Sequence, residues 1–501
     1  MKGAILVCGT HSDAGKSTVV AGLCRHLARQ GIRVAPFKAQ NMSLNSVVTA
    51  DGREVARAQA LQADAAGVPV QAEMNPILLK PSGERESQVV VLGRPYKTVS
   101  AGEYRQLRAE LAPIVWRSLA KLREAFDVVV CEGAGGAAEI NLRDGDLTNL
   151  GLARAHRLPV VLVTDIERGG AFASLYGTYA LLDEEDRDQI GGFVINRFRG
   201  DPALLGPGIE ELAGRTGVPC LGVLPYHEGL RVDAEDSQGL VAEPPPAAQP
   251  DRQTLDVAVL RLRLISNFTD LDALALEPSV RLRFTRSPLD LRRADLVVIP
   301  GTKATVRELW WLQEEGLDRV LRERAAGGGP ILGICGGYQL LGEEVIDEVE
   351  TKPPGGRVVG LGLLPVTTQF GEEKVLRRRG GHCPLLGCPV GGYEVRHGRP
   401  CRHGGAPLFV ATDGEEEGTY SGVVYGTSWH GALEHDAFRA AFLAAIAAHR
   451  SVPFTPSPRP FAQARLDQIE AVCSLVEENL DLEAVYSLIE KGASIPLEVA
   501  R

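Results

Sequence analysis

The amino-acid sequence predicts an α/β protein with two doubly wound domains and a C-terminal helical tail. Short, apolar, β-branched segments alternate with amphipathic helical segments in the first half of the chain. The alternation stops at the proline-rich stretch AEPPPAAQPDRQ and then begins again. A second break, SVPFTPSPRP, precedes a C-terminal stretch that is apolar at helical spacing.

The elements of each predicted sheet follow from these patterns. GAILVCG is a predicted buried strand, and STVVAGLCRHLARQG is a predicted helix with one apolar face. Further strands are expected at IRVAPFK, FDVVVCEG, PVVLVTD and GGFVINRF, because these segments are short and apolar on both faces. The second domain repeats the pattern with DVAVLRL, ADLVVIPG, PILGICGG and GVVYGTSWHG. We therefore expect a first domain at 1–241, a linker at 242–254, a second domain at 255–450 and a helical extension at 451–501.

Composition narrows the class of protein. The chain has 501 residues, more than one ordinary domain, and a formal net charge of −10, which disfavours nucleic-acid and anionic membrane partners. We find no apolar stretch of the roughly 18 to 20 residues that a membrane span needs, and the N-terminal apolar run is too short for a signal peptide. The nine cysteines include no CxxC pair. These features favour a cytoplasmic location and leave a homo-oligomer open.

The first chemical motif is GTHSDAGKST, which follows a predicted strand and opens a predicted helix. Backbone N–H groups at such a turn form a nest for phosphate, Lys16 can reach the β- and γ-phosphates, and the Ser17 hydroxyl can ligate Mg²⁺. The alternative is a glycine-rich turn with an incidental lysine, which the strand, the helix and the GKST ending together disfavour. The candidate nucleotide-binding residues here are Gly9, Thr10, Asp13, Ala14, Gly15, Lys16, Ser17 and Thr18.

Two further residues end strands beside this loop. Glu132, in VVVCEGAGG, would bind Mg²⁺ directly or through water, and Asp13 is a second candidate for that role. Lys38, in VAPFK, would neutralise charge on the γ-phosphate or on a carboxylate substrate. An isolated Glu or Lys is more often a surface residue, but the shared position at strand ends favours function.

The second motif is PILGICGGYQLLGEEV, which predicts a strand, a sharp turn and a helix with Cys335 at the corner. This is the geometry of a nucleophile elbow, and the start of the helix favours the thiolate. The N–H of Gly336, with that of Gly301 or Thr302 in VIPGTKAT, would form an oxyanion hole. His430, in YGTSWHGALE, would be the base. The alternative, a buried packing cysteine with a core histidine, is disfavoured because these features occur together.

The motifs together resemble the cobyric acid synthase family of class I glutamine amidotransferases, over nearly all of residues 1–445. The phosphate loop has five residues between Gly9 and Gly15, as in the similar loop of dethiobiotin synthetase and its relatives. The resemblance is carried most sharply by QNMSLNS and DIERGGAFASLYGT, and also by EMNPILLKP, INRFRGD, GICGGYQLLG and GTSWHG. It implies a phosphate-loop synthetase domain followed by a class I glutaminase domain.

The resemblance implies the substrates, which spacing and composition do not reveal. Such an enzyme amidates carboxylates b, d, e and g of adenosylcobyrinic acid a,c-diamide to give adenosylcobyric acid. Glutamine supplies nitrogen through a thioester on Cys335, and MgATP held by Lys16 and Ser17 activates the corrinoid carboxylate as an acyl phosphate. Because free ammonia is largely protonated at neutral pH, the two sites should face each other across a sheltered path.

Two parts of the sequence depart from familiar patterns. Many class I glutaminases have a Glu two residues after the catalytic His, but this chain has Ala432 there, and Glu434 lies four residues on. The resemblance implies a Cys335–His430 dyad without a strong third member. The segment 382–403 invites a zinc site, yet its spacing matches no standard one, so we expect a glycine-rich surface loop. Its potential ligands are His382, Cys383, Cys388, His397, Cys401 and His403.

Two alternatives remain beside the corrinoid amidase. One is an amidotransferase for another carboxylate, similar to cobyrinic acid a,c-diamide synthase. The other is a non-enzymatic ATPase switch of the septum-site and partitioning type, which shares the α/β core. Such switches usually carry an early lysine in the loop, where this chain has His11 and Ser12, and they lack a glutaminase constellation.

Overall fold

The computed structural model describes residues 1–83, 85–228, 230, 254–351 and 356–492. The predicted linker at 242–254 lies outside these ranges except for Thr254. Within the described ranges, no helix combines the length and apolar character that crossing a membrane requires.

The first domain contains strands β1 to β12 and helices α1 to α7. The strands are β1 (Gly3–Gly9), β2 (Val34–Phe37), β3 (Gln40–Met42), β4 (Ser46–Val48), β5 (Glu54–Ala56), β6 (Ile77–Pro81), β7 (Glu86–Val91), β8 (Arg94–Ser100), β9 (Val128–Gly136), β10 (Val160–Asp165), β11 (Ile190–Phe198) and β12 (Cys220–Pro225). The helices are α1 (Lys16–Arg29), α2 (Arg57–Ala66), α3 (Ala101–Ala125), α4 (Leu150–His156), α5 (Ala171–Leu181), α6 (Glu184–Arg187) and α7 (Gly206–Thr216).

The main sheet of the first domain is parallel and six-stranded, in the order β12-β11-β10-β1-β9-β2. Its inner strands are apolar on both faces because helices cover both sides, and two hydrophobic clusters lie on either side of the sheet. The order reverses at β1, so the crevice between β1 and β9 is the place where a doubly wound fold binds ligands. The predicted doubly wound architecture is therefore confirmed here.

A smaller sheet in the first domain was not predicted. Strands β3, β6, β7 and β8 form a four-stranded sheet, and β4 pairs with β5. Strands β3, β4 and β5 have three residues each, too few for a period of two to be visible in the sequence. The QNMSLNS and EMNPILLKP motifs lie in this part of the fold, between the main sheet and the second domain.

The second domain contains strands β13 to β26 and helices α8 to α13. The strands are β13 (Leu255–Leu260), β14 (Ile265–Ser266), β15 (Val280–Thr285), β16 (Leu296–Ile299), β17 (Gly301–Thr302), β18 (Ile331–Ile334), β19 (Glu344–Asp347), β20 (Gly356–Val359), β21 (Val366–Cys383), β22 (Cys388–Arg402), β23 (Phe409–Ala411), β24 (Glu416–Glu417), β25 (Thr419–Ser421) and β26 (Val424–Thr427). The helices are α8 (Asp272–Ala275), α9 (Pro288–Arg293), α10 (Thr305–Glu314), α11 (Leu317–Ala326), α12 (Gly336–Leu341) and α13 (Asp436–Arg450).

The central sheet of this domain has the order β15-β13-β16-β18-β26-β25 and is parallel except at β25. A second sheet is built around the long antiparallel pair β21 and β22. The expectation of a surface loop at 382–403 was wrong, because most of that segment is strand β22. Tyr393 and Val395 lie two positions apart in this strand and are both buried, which matches the side-chain period of a strand.

The C-terminal tail packs on the first domain although it follows the second in sequence. It forms α14 (Phe461–Asn479) and α15 (Leu482–Lys491), which join the cluster that covers one face of the first sheet. Val476 lies over Gly22 of α1, and Leu488 lies over Gly191 of β11. The tail thus supplies part of the hydrophobic core of the first domain.

This placement predicts that tail mutations destabilise the first domain. Leu488→Ala is expected to lower its free energy of unfolding by about 2–4 kcal/mol, because it leaves a cavity at a side chain that is only 3% exposed. Leu466→Ala, at a half-exposed position of α14, is the control and should change stability by less than about 0.5 kcal/mol. Stability is measured by urea unfolding. The transition of the first domain is the one that shifts when ATP is added. Equal effects of the two variants would contradict this packing.

Candidate active sites

The phosphate loop connects β1 to α1 and its shape depends on Gly15. Gly15 is the N-cap residue of α1 and has φ of +101°, where a side chain is strained. A Cβ at this position would also lie 1.9 Å from the Asn196 amide nitrogen, which donates to the Ala14 carbonyl at 3.0 Å. The loop therefore brings backbone N–H groups and the start of α1 to the β1–β9 crevice.

Lys16 spans this loop and is almost completely buried. Its Nζ donates to the carbonyl oxygens of His11 at 3.1 Å and of Gly135 at 3.2 Å. Gly135 follows Glu132 at the carboxyl end of β9, so the ammonium group lies between the loop and the neighbouring strand. A cation held there is placed to contact phosphate oxygens in the nest.

Glu132 is the centre of a buried polar group beside the loop. Its Oε1 accepts from Ser17 Oγ at 2.8 Å and from Lys38 Nζ at 2.9 Å. Gln62 of α2 donates to the other carboxylate oxygen. Burial would raise the pKa of Glu132, but Lys38 and the Gln62 hydrogen bond outweigh it and lower the pKa, so the carboxylate is ionised.

These residues fit a magnesium nucleotide. A hydroxyl and an ionised carboxylate that are adjacent at a strand end are the oxygen donors that Mg²⁺ takes, usually with water and phosphate oxygens. Lys16 and Lys38 supply positive charge on either side of them. The structure thus brings Lys16, Ser17, Lys38 and Glu132 together, as the sequence analysis proposed.

The other loop residues take more varied positions. Asp13 is exposed and its carboxylate pairs with Arg197 at 3.3 Å. The Thr10 hydroxyl donates to that of Thr164 on β10 at 3.0 Å. Thr18 lies in the first turn of α1. The assignment of these residues to the nucleotide remains a proposal.

The second site begins at Cys335, between β18 and α12. Its φ is +50°, a strained value for a non-glycine residue and one typical of a nucleophile elbow. The backbone N–H of Cys335 donates to the Thr427 carbonyl at 2.7 Å, which anchors the turn to β26. Gly337 packs so closely on β16 that a Cβ would lie 1.9 Å from the Ile299 carbonyl oxygen. The glycines after the cysteine are therefore required by packing.

His430 lies beside the thiol and is held by Asp270. Asp270 Oδ2 is 2.7 Å from His430 Nδ1, and its other oxygen accepts from the Gly431 N–H at 2.9 Å. With Nδ1 bound to Asp270, Nε2 is the nitrogen that faces Cys335, whose thiol interacts with the ring. The three residues form a Cys–His–Asp arrangement.

The charge state of this arrangement favours a nucleophilic sulfur. Burial alone would lower the pKa of His430, but Asp270 and the adjacent Cys335 raise it to about 10. The imidazole is therefore protonated at neutral pH. An imidazolium beside the sulfur stabilises a thiolate and can later donate a proton to a leaving amine.

The backbone segments that carry the proposed oxyanion donors lie beside Cys335 and His430. A Cβ on Gly336 would lie 2.7 Å from the backbone nitrogen of Thr302, so these two segments are in close contact. Gly301 faces the His430 ring, and a Cβ there would lie 3.0 Å from its Cε1. Gly301 and Gly336 remain our proposal for the oxyanion hole.

The expectation of a dyad without a strong third member was wrong, because Asp270, which the sequence analysis missed, holds His430. It lies in a short 3-10 turn (Phe268–Leu271) after β14, and 160 positions separate it from His430. Glu434, the acid considered from the sequence, instead forms an ion pair with Arg57 of the first domain at 2.8 Å. Asp270 follows the segment NFT without any spacing signal, so only proximity in the fold identifies it.

The cluster of potential metal ligands that the structure does contain lies outside the segment 382–403. In the described part of the chain, the three-residue group whose ligand atoms approach one another closely is His26, Cys473 and Glu477. These side chains already contact one another, and His26 also contacts Tyr486 of the tail. We read the group as part of the contact between α1 and the tail.

A cavity between the two domains opens onto Cys335 and His430. Lys80 of the first domain lines it together with Lys374 of the second. Both lysines donate to the buried carboxylate of Glu54, each at 2.6 Å. Burial lowers the pKa of Lys374 to about 8, although Glu54 opposes this change. The site at Cys335 therefore faces the first domain through a charged interior.

Each half of the chain matches a known protein family. Residues 5–240 match the CobQ/CobB/MinD/ParA nucleotide binding domain, and residues 256–438 match the CobB/CobQ-like glutamine amidotransferase domain. Proteins named cobyric acid synthase from Rhodococcus jostii (strain RHA1) and from Streptomyces coelicolor are each 52% identical to this chain. The matches cover 98% of this chain and 96% and 97% of theirs. The chain belongs to the cobyric acid synthase family.

Membership of this family confirms several expectations. A relative from Nocardia farcinica, also named cobyric acid synthase, is 51% identical over 100% of this chain and 99% of its own. The chain is therefore an enzyme, an amide ligase that joins a nucleotide-binding domain to a glutamine amidotransferase domain. The partitioning ATPases share only the first of these domains, so a switch protein is not favoured.

The geometry around His430 generates a prediction about rate. Asp270→Asn should reduce kcat for glutamine hydrolysis by about 10²- to 10⁴-fold, because the imidazole loses the acid that orients it. Ammonium-dependent amidation by the same variant is the control and should be retained. Glutamate release at saturating glutamine measures the first activity. A variant that hydrolyses glutamine at the native rate would exclude Asp270 from the site.

The raised pKa of His430 generates a prediction about stability. A group with a raised pKa in the folded state adds stability that is fully present below its ordinary pKa of 6.5 and is lost as pH rises towards about 10. Asp270→Asn removes much of this contribution. The difference in melting temperature between the native protein and the variant should therefore shrink between pH 6.5 and pH 10. A difference that is constant over this range would contradict the assigned charge state.

Proposed function

We propose that this enzyme amidates carboxylates b, d, e and g of adenosylcobyrinic acid a,c-diamide to give adenosylcobyric acid, with glutamine as nitrogen donor and ATP as activator. The observation that carries the proposal is the pairing of two complete sites in one chain of this family. Cys335, His430 and Asp270 form one, and Lys16, Ser17 and Glu132 form the other. The substrates are those that the family resemblance implies.

Glutamine hydrolysis would begin at the sulfur. The Cys335 thiolate attacks the amide carbon of glutamine, and the negative charge that develops on oxygen is stabilised by backbone N–H groups near Gly336 and Gly301. The His430 imidazolium donates its Nε2 proton to the nitrogen as the C–N bond breaks, which releases ammonia and leaves a thioester. Water, deprotonated by His430, then hydrolyses the thioester to glutamate and restores the sulfur.

Activation of the acceptor would take place at the phosphate loop. A corrinoid carboxylate attacks the γ-phosphate of ATP, with Lys16 and Lys38 offsetting the negative charge that gathers on the phosphate oxygens. Ser17 and Glu132 are the residues that would hold Mg²⁺, whose role is to neutralise phosphate charge. Ammonia then displaces phosphate from the activated carboxylate and forms the amide.

The route between the two sites must exclude bulk water, because ammonia protonated by water is not a nucleophile. The cavity beside Cys335 is lined by residues of both domains, including Lys80 and Lys374. This supports direct transfer of nitrogen from the second domain to the first.

Two variants should separate the half-reactions. Cys335→Ala is expected to abolish glutamine-dependent amidation and to retain amidation with added ammonium, because only the nitrogen source is lost. Lys16→Ala should lose both activities by at least about 10²-fold, because phosphate charge is no longer offset. Amide formation on the corrinoid measures both. Full use of glutamine by Cys335→Ala would refute the assigned nucleophile.

The acceptor itself is tested by mass spectrometry. Incubation with the corrinoid a,c-diamide, ATP and glutamine should give products lighter by the difference between OH and NH₂ for each carboxylate converted. Omission of ATP is the control and should leave the mass unchanged. Active glutaminase without any change in corrinoid mass would remove the corrin assignment and favour amidation of a different carboxylate.

A further inference from the structure

The turn that carries Asp270 depends on the residue before it. Asn267 has φ of +49°, in the left-handed region that Asn tolerates better than most residues. Its carbonyl oxygen accepts from the Asp270 N–H at 3.0 Å, and this bond closes the 3-10 turn. The position of the Asp270 carboxylate, and with it the orientation of His430, therefore follows the position of Asn267.

Asn267 is held by the first domain. Its Oδ1 accepts from the backbone N–H of Ser46 at 2.8 Å, and the N–H of Phe268 donates to Asn45 Oδ1 at 3.2 Å. Asn45, Ser46 and Asn267 are all at least 97% buried. Buried amides are costly when they lose a partner, so this reciprocal pair of hydrogen bonds fixes the turn strongly.

A second contact reaches the site from behind the imidazole. The Tyr393 ring stacks on His430 with centroids 5.5 Å apart, and the side chain of Arg57 contacts the Tyr393 hydroxyl. Arg57 also forms the ion pair with Glu434, four positions after His430. The Arg57 N–H donates to the Asn45 carbonyl at 3.0 Å, so both contacts come from one segment of the first domain.

We propose that Asn45 and Arg57 of the first domain are positioning residues for glutamine hydrolysis in the second. Asn45 acts through the turn that carries Asp270, and Arg57 acts through Tyr393 and Glu434. The glutaminase site is then complete only when the two domains are docked. This inference rests on the proposed role of His430 and Asp270. A displacement of about 1 Å at such a site can cost about 10²-fold in rate, which sets the expected effect.

The test compares Asn45→Ala with Asn45→Asp in the full chain. Asn45→Ala removes the acceptor for the Phe268 N–H, whereas Asn45→Asp keeps an oxygen there. For Asn45→Ala, kcat for glutamine hydrolysis should fall by about 10- to 100-fold with little change in KM, because the imidazole and not the glutamine subsite is displaced. Asn45→Asp should recover most of the rate, and ammonium-dependent amidation should stay within about twofold in both.

A second readout is independent of turnover. The rate at which iodoacetamide alkylates Cys335, followed by mass spectrometry of its peptide, reports how well His430 supports the thiolate. Asn45→Ala should slow this alkylation in parallel with kcat. Asn267→Gly removes the second-domain partner of the same interface and should have the same effect. Glycine keeps the left-handed backbone at this position, so only the side-chain amide is lost.

The outcomes distinguish this inference from the proposed function. Native kcat and native alkylation in both Asn45→Ala and Asn267→Gly would overturn the positioning role. Equal loss of glutamine- and ammonium-dependent activity in both variants would show general unfolding and would also overturn it. Failure of the proposed function appears separately, as glutamine hydrolysis that persists in Cys335→Ala.

Discussion

The buried ion pair between His430 and Asp270 is the interaction on which the second domain depends. An imidazole with this degree of burial would normally be neutral, and only the charges beside it keep it protonated. In the mechanism that we propose, this proton is the one donated to the leaving amine. The elbow, the close-packed glycines and the strand that ends at Thr427 all serve to bring the sulfur to this pair.

The first domain also keeps a buried side chain charged through its neighbours, but there the buried group is an anion. Glu132 is a buried anion that remains ionised because Lys38 and Gln62 contact it. Both sites lie at the carboxyl ends of parallel strands, where side chains from separate strands converge on one crevice. The short segment from Asn45 to Gln62 reaches both of them, since Gln62 contacts Glu132 and Asn45 contacts the turn before Asp270. The interface between the domains therefore contacts both sites.

Residues that act near their own motif could be predicted from the sequence. Lys16, Ser17 and Cys335 each follow a strand and open a helix, and that local context fixes their direction. Asp270 could not be predicted, because an acid in a turn carries no periodic or spacing signal and its partner is 160 positions away. The segment 382–403 was misread for a related reason: glycines in a long hairpin look like loop residues until a neighbouring strand is known.

The sequence by itself determined the two α/β halves, the sharp turn that carries Cys335, the phosphate loop and, through its motifs, the family. These follow from local preferences for strand, turn and helix, which act over a few residues. Only the tertiary structure decided that Asp270 and not Glu434 orients His430, that the tail completes the core of the first domain, and that Asn45 contacts the glutaminase turn. Those outcomes depend on burial and hydrogen bonding between distant segments, and such partners are selected by the packing of the whole chain.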